Sequence, residues 1–287
     1  MFRRVIRPIL TVSVLLATIA GFIYYFATHP AVRHQLAQTS PLTLATLFFL
    51  YLSVLVALSL VTLTTLRLCK ISLPPSESLL LTMYATVVNF FGPLQSGPAF
   101  RGVYLKRKHN VDLKKYAAAT LVFYALYAAF SGLFLLSGLF HWWLLIAAIL
   151  AVAVLWYVRT TSISFFTRFQ ALDLNAIYAL AAATLLQLAI VAVIYFVELR
   201  SIDHTISFGQ AIIYAGAANF ALFVSLTPGA IGFRESFLLF SRHLHHIDAN
   251  TIVAANIIDR AMYIVLLTVI GVLIFGTHAQ RRFQPKG

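Results

Sequence analysis

From Pro41 to Leu66 the chain reads PLTLATLFFLYLSVLVALSLVTLTTL, with no charged residue. A run of about 20 apolar residues is what a helix needs to cross a hydrocarbon core roughly 30 Å thick. Five further segments are comparably apolar: 8 to 27, 117 to 139, 141 to 158, 176 to 198 and 250 to 276. Inside lipid every backbone N–H and C=O must find a partner within the protein, which leaves helices or closed barrels. No segment shows the period-two alternation of a barrel strand, so the expected class is an all-α integral membrane protein. Composition agrees, with 61% hydrophobic residues, 10% charged and a mean hydropathy of +0.90, against about 45–50% apolar usage in soluble domains.

Two more apolar stretches, 79 to 100 and 209 to 232, are interrupted by GPLQSGP (92 to 98) and TPGAIG (227 to 232). The breaking residues are Gly92, Pro93, Gly97 and Pro98 in the first and Pro228, Gly229 and Gly232 in the second. Each stretch either spans or enters and returns, and the positive charges discriminate, because Lys and Arg of short loops concentrate on the cytoplasmic side. With both stretches re-entrant, 16 basic residues lie inside and only Arg33, Arg200, Arg234 and Arg242 outside, with Arg260 within a span. With both spanning, the alternative of eight spans, the balance becomes 9 inside against 11 outside. The expectation is therefore six spans plus two re-entrant hairpins, with both termini cytoplasmic in a bacterial or archaeal inner membrane. The net charge of +13 then reports topology and anionic headgroups rather than nucleic acid. The basic, apolar N-terminus is read as a retained anchor, and the single Cys69 cannot form an internal disulfide.

An internal repeat runs through the chain. VDLKKYAAATLVFYALY (111 to 127) aligns without gaps on IDANTIVAANIIDRAMY (247 to 263), and YATVVNF (84 to 90) resembles YAGAANF (214 to 220). Each upstream block is followed by a Pro/Gly break and then an arginine, Arg101 or Arg234. Residues 1–287 thus read as one transmembrane domain with repeat units at approximately 76–139 and 207–276. Three spans separate the hairpins, so they enter from opposite sides as an inverted repeat, an arrangement that brings broken helices together near the midplane of transporters.

The polar residues at membrane depth are the candidate site. A charge at the bilayer centre costs about 2.5–3.5 kcal/mol on insertion scales and is normally paired or functional. Arg234 and Glu235 follow the second break, where they read as a local pair; Asp259 and Arg260 form a doublet within the last span, with Asn256 and Tyr263 on the same broad face. Arg101 follows the first break, and Asn89 and Asn219 stand where they would cap the broken helices. RHLHHID (242 to 248) reads as an exposed outer segment without the second ligand cluster a metal would need. There is no Walker A motif, no dinucleotide fingerprint and no GxSxG, so no cofactor, metal or catalytic residue is expected.

At these residues the chain resembles the transmembrane, flippase-like region of the lysylphosphatidylglycerol synthase family. TPGAIGFRE matches that family's second-repeat signature through Pro228, Gly229, Gly232, Arg234 and Glu235, and Arg260 matches a later arginine. The first-repeat signature is matched by Asn89, Pro93, Gly97 and Arg101, but Pro98 stands where the family carries a glutamate. The resemblance covers approximately residues 8 to 276. It implies translocation of an anionic phospholipid or polyprenyl-phosphate lipid, with Arg101, Arg234 and Arg260 on the phosphate and Asp259 and Glu235 holding arginines in the empty site. The aminoacyl-transfer domain of full-length synthases is absent from this sequence, so lysyl transfer is not implied. A non-catalytic accessory subunit of a membrane glycosyltransferase or lipid-synthesis complex is the alternative, and a lipid-modifying enzyme a more distant third.

Overall fold

The computed structural model describes residues 39–91, 96–137, 174–224 and 233–283, together with Ala27 and Pro30. Among the described residues every element is helical: α1 (Pro41–Leu68), α2 (Pro75–Phe91), α3 (Gly97–His109), α4 (Leu113–Leu136), α5 (Leu174–Ile202), α6 (Phe208–Val224), α7 (Phe233–Phe240), α8 (Arg242–His245) and α9 (Ala249–Phe283). Four are long and apolar enough to cross a membrane: α1, α4, α5 and α9 as far as Gly276. They coincide with four of the six expected spans. The spans expected at 8 to 27 and 141 to 158 fall outside the described residues, Ala27 excepted, as do Gly92, Pro93, Pro228, Gly229 and Gly232.

Local chemistry sets the helix ends. Ser40 caps α1 by accepting from the Thr43 N–H at 3.1 Å, and Pro41 occupies the first turn, where its missing N–H costs nothing. Pro98 does the same service at the start of α3. Asp112 and Asp248 each accept from the N–H two residues on, Lys114 and Asn250, both at 2.8 Å. Just before them, Asn110 and His246 close α3 and α8 in the same left-handed conformation, φ 53° and ψ 35°.

The described parts of helices α2 and α6 have 17 residues each, a rise of about 25 Å. Both turn back. At the break in the first pair, Gly97 N–H donates to Asn89 Oδ1 at 3.2 Å and Ser96 Oγ donates to Val88 O at 3.0 Å. At the far ends Glu77 of α2 accepts from Tyr104 Oη (2.7 Å) and Lys108 Nζ (2.8 Å) and bonds His109 Nε2 (2.7 Å) on α3. Helices α2 and α3 are therefore an antiparallel hairpin. In the second pair, Gln210 near the start of α6 donates to His245 O (3.2 Å) and His246 O (3.4 Å) at the end of α8, and the Phe220 and Phe237 rings meet near the break with centroids 6.1 Å apart.

Each hairpin packs against the long helix that follows the other one: α2 on α9 and α6 on α4. The second contact is backbone-close. Ala215, Ala217, Ala218 and Ala221 are fully buried, and a Cβ on Gly216 would fall on the Leu135 backbone nitrogen and 2.8 Å from its Cα. Small residues are what let helices approach so closely where lipid supplies no hydrophobic drive. Helix α1 lies along α5, and Leu47, Leu55, Ile194, Ile258 and Leu266 knit α1, α5 and α9 into one core.

The histidine segment is exposed at Arg242, His243 and His246, as expected, but not at His245. His245 is fully buried, with its ring against Tyr214 (centroids 5.5 Å), Nε2 facing Leu238 O at 3.2 Å and Nδ1 accepting from the Ile247 N–H at 3.3 Å. Both ring nitrogens are satisfied only by the neutral imidazole, because a second ring hydrogen would point at the Ile247 N–H. Its backbone carbonyl serves the hairpin closure, which is why this histidine turns inward.

Two outcomes follow for stability. Gly216→Ala should cost about 1–3 kcal/mol through overpacking, read as a lower melting temperature in detergent, whereas Gly132→Ala, where a Cβ meets nothing within 4 Å, should be neutral or slightly stabilising. Burial holds the His245 pKa down, from its ordinary 6.5 to about 4. Between these values the unfolded chain binds the proton and the folded one does not, so stability is complete above about pH 6.5 and declines as pH falls toward 4. Melting of His245→Gln should fall less than wild type over that acid window.

Candidate functional site

The two breaks leave the helices around them with polar residues at membrane depth, and a cavity of about 270 Å³ lies there, walled by α1 to α7 and α9. Six of the eight candidate residues line it: Asn89, Arg101, Asn219, Arg234, Asp259 and Arg260. The remaining two, Glu235 and Asn256, each hold one of its arginines. Most of the wall is apolar or aromatic, including Tyr51, Tyr127 and Tyr195.

The ion pairs are crossed relative to the expectation of sequence-adjacent partners. Arg234 Nη2 lies 2.8 Å from Asp259 Oδ2 and donates to Asn256 Oδ1 at 3.3 Å, while Arg260 reaches Glu235 Oε1 through Nη2 (2.7 Å) and Nε (3.1 Å). Neighbours on a helix project about 100° apart and do not face each other. The partners must come from another helix, and two rungs between α7 and α9 result. Arg234 and Asp259 are both buried, and the Arg234 guanidinium also lies over the Tyr195 ring, 5.4 Å from its centroid. The Arg260–Glu235 rung is more open.

The asparagines divide their roles. Asn89 caps α3 across the first break, as its position implies. Among the described residues Asn219 caps no helix: its Oδ1 accepts from Tyr127 Oη at 2.9 Å, joining α6 to α4, and its Nδ2 has no partner among them. Tyr127 is close enough to take that acceptor because Gly216 lets the two helices touch.

Arg101 stands apart. Its Nη1 donates to Thr62 Oγ1 at 2.7 Å, its Nε is buried without a partner, and among the described residues it meets no carboxylate. Nε of Arg234 is likewise unsatisfied. Three buried donors, on Arg101, Arg234 and Asn219, thus belong to residues that line one cavity. Such groups cost about 1–3 kcal/mol each when left unmade, and Oε1 of Gln187, which lines the same cavity, is a buried acceptor without a partner among the described residues.

Several residues of the site were not anticipated. Glu198 is fully buried on α5 behind the cavity wall, and Tyr51 Oη bridges it, at 3.2 Å, to Asp259. Gln187 lines the cavity from the middle of α5. A signal existed in the sequence for Gln187, which interrupts an otherwise apolar span, whereas Glu198 stands at the end of that span, close to Arg200.

The match to known families decides what this arrangement belongs to. The family described as lysylphosphatidylglycerol synthase TM region matches residues 9–271. The chain is a member of that family. Family membership and the four long apolar helices make it a multi-pass membrane protein of a lipid-related family. No curated protein matches the chain significantly. The matched region is the family's membrane part.

The crossed pairing has a measurable consequence. Asp259→Ala should cost about 3–5 kcal/mol by leaving Arg234 buried without its counter-charge. In double-mutant cycles of detergent stability, Asp259 should couple to Arg234, whereas Asp259→Ala and Arg260→Ala should be nearly additive. Strong coupling between Asp259 and Arg260 would reverse the assignment of partners.

Proposed function

We infer that this chain binds the anionic headgroup of a membrane lipid, a phospholipid or a polyprenyl phosphate, in the cavity between its hairpins and moves it across the bilayer. The observation that carries the reading is the charge of that cavity wall: of its three arginines, Arg234 and Arg260 are paired with carboxylates, while Arg101 meets none among the described residues. Guanidinium groups suit phosphate oxygens because their donors form a planar fork. A volume of about 270 Å³ suits a headgroup rather than a whole lipid, whose tails stay in the hydrocarbon.

The matching order of elements in the two units supports an inverted repeat, with units at approximately 76–139 and 207–276. Two hairpins entering from opposite leaflets would let the cavity open to either side by rocking of one unit against the other. The distribution of Lys and Arg supports cytoplasmic termini in a bacterial or archaeal inner membrane. In this reading the protein performs no covalent chemistry.

Arg101 provides the cleanest test, because replacing Arg234 would also strand Asp259. Arg101→Gln keeps hydrogen-bonding capacity and removes the charge, so reconstituted protein should insert normally yet move fluorescent phosphatidylglycerol about tenfold or more slowly, the size of one charge-assisted bond. An unchanged rate would remove Arg101 from the headgroup site. If wild type moves neither phosphatidylglycerol nor a polyprenyl-phosphate analogue, the accessory-subunit reading replaces translocation.

A further inference from the structure

A phenol hydroxyl has one hydrogen to donate, and at Tyr51 two carboxyl groups compete for it. Tyr51 Oη contacts Asp259 Oδ1 closely and lies 3.2 Å from Glu198 Oε1. Glu198 is fully buried, and its second oxygen, Oε2, has no partner among the described residues. The groups that face Glu198 are Tyr51 from α1, Asp259 from α9, Arg234 from α7, Tyr214 from α6 and Tyr195 one turn back on α5. From α4, Tyr127 reaches only as far as Tyr195. This set holds two carboxyls and one cation, and that cation, Arg234, is already bound to Asp259 at 2.8 Å.

The hydrogen bonds close when one carboxyl brings its own hydrogen. Glu198 then donates to Tyr51 Oη, Tyr51 donates to Asp259, and Asp259 holds Arg234, a continuous chain from the buried acid to a cavity arginine. With both carboxyls ionised, one hydrogen serves two acceptors and a buried negative charge stands without a counter-charge, an arrangement costly at low dielectric.

The proton also sets the charge of the whole site. Arg101, Arg234 and Arg260 face Asp259, Glu235 and Glu198. With all three acids ionised the six groups sum to zero; with one proton on the Glu198–Asp259 pair they sum to a single positive charge, the complement of a phosphodiester. We propose that Glu198 and Asp259 together bind one proton across the Tyr51 hydroxyl, and that this proton is linked to binding of the anionic headgroup. The inference rests on the headgroup reading above. The step forms one O–H bond, at the Glu198 carboxyl, as a hydronium ion gives up its proton; no other bond changes. By linkage, acid strengthens anion binding and anion binding draws in a proton to the same degree.

The test is equilibrium binding of short-chain phosphatidylglycerol to the full chain in phosphatidylcholine nanodiscs, at about pH 6 and about pH 8. Wild type should bind roughly tenfold more tightly at the lower pH, within the limit of about tenfold per pH unit that one linked proton sets. Glu198→Gln, which supplies the hydrogen permanently, should bind equally at both. Tyr51→Phe, which removes the bridge and not the acids, should shift the midpoint of the pH dependence, and it carries the test if Glu198→Gln does not fold. Wild-type binding that is flat with pH, a pH dependence that survives in Glu198→Gln, or a midpoint unmoved in Tyr51→Phe overturns the linkage alone. No phosphatidylglycerol binding to wild type at either pH overturns the headgroup reading, and the linkage with it.

Discussion

The rung between Arg234 and Asp259 is the interaction around which this site is arranged. A guanidinium at membrane depth needs a counter-charge and acceptors for its remaining hydrogens. Here Asp259, Asn256 and the face of Tyr195 supply them, from α9 and α5. Helix α7 has only eight residues, too short to be a stable helix alone. It is held by this rung and its neighbour Arg260–Glu235, and by the apolar packing of Leu238 behind them. Arg234 stands in the first turn of α7, so the place where this helix begins and the ion pair require each other.

The second constraint is the absence of bulk. Gly216 and the buried alanines of α6 let α4 approach until its backbone at Leu135 lies against the Gly216 Cα. That approach places Tyr127 on Asn219. A larger residue at Gly216 would separate the helices and take with it a wall of the cavity, so a packing residue far from any charge shapes the polar site. At the first hairpin Gly97 has the same role on a smaller scale: a Cβ there would stand 2.8 Å from Ala85 O and press on the Asn89 side chain that caps it.

Much of this was legible in the sequence because hydrocarbon imposes so few solutions. Length and apolarity located α1, α4, α5 and α9 to within a few residues, and Pro/Gly interruptions marked where two helices turn. The residues gathered at the cavity were legible for the same reason, since a polar group within an apolar run must meet another. Their pairing was not. Adjacency in sequence suggested Arg234 with Glu235 and Asp259 with Arg260, whereas helix geometry turns neighbours apart and only the stagger of α7 against α9 selects the partners. Glu198 was hidden by its place close to the end of α5, beside Arg200, where an acid reads as part of a solvated boundary. His245 was hidden by its exposed neighbours.

The two halves are related in element order but not in charge: Phe123 and Tyr124 stand where the aligned second unit has Asp259 and Arg260, and Gly102 follows Arg101 where Glu235 follows Arg234. After the first break Pro98 begins α3, where a proline is favoured in the first turn; after the second break Glu235 stands in the first turn of α7 and holds Arg260. A carboxylate at the Pro98 position would have given Arg101 a candidate partner in its own half. Without it Arg101 rests on a threonine hydroxyl, and the surplus positive charge of the cavity wall falls in the half built by α2 and α3. On the proposed function, an anion drawn to that charge would be held off-centre, nearer Arg101 than the paired arginines on α7 and α9. To cross, it would have to exchange Arg101 for arginines whose own carboxylates compete with it, and neutralising one of the acids behind those arginines would weaken that competition.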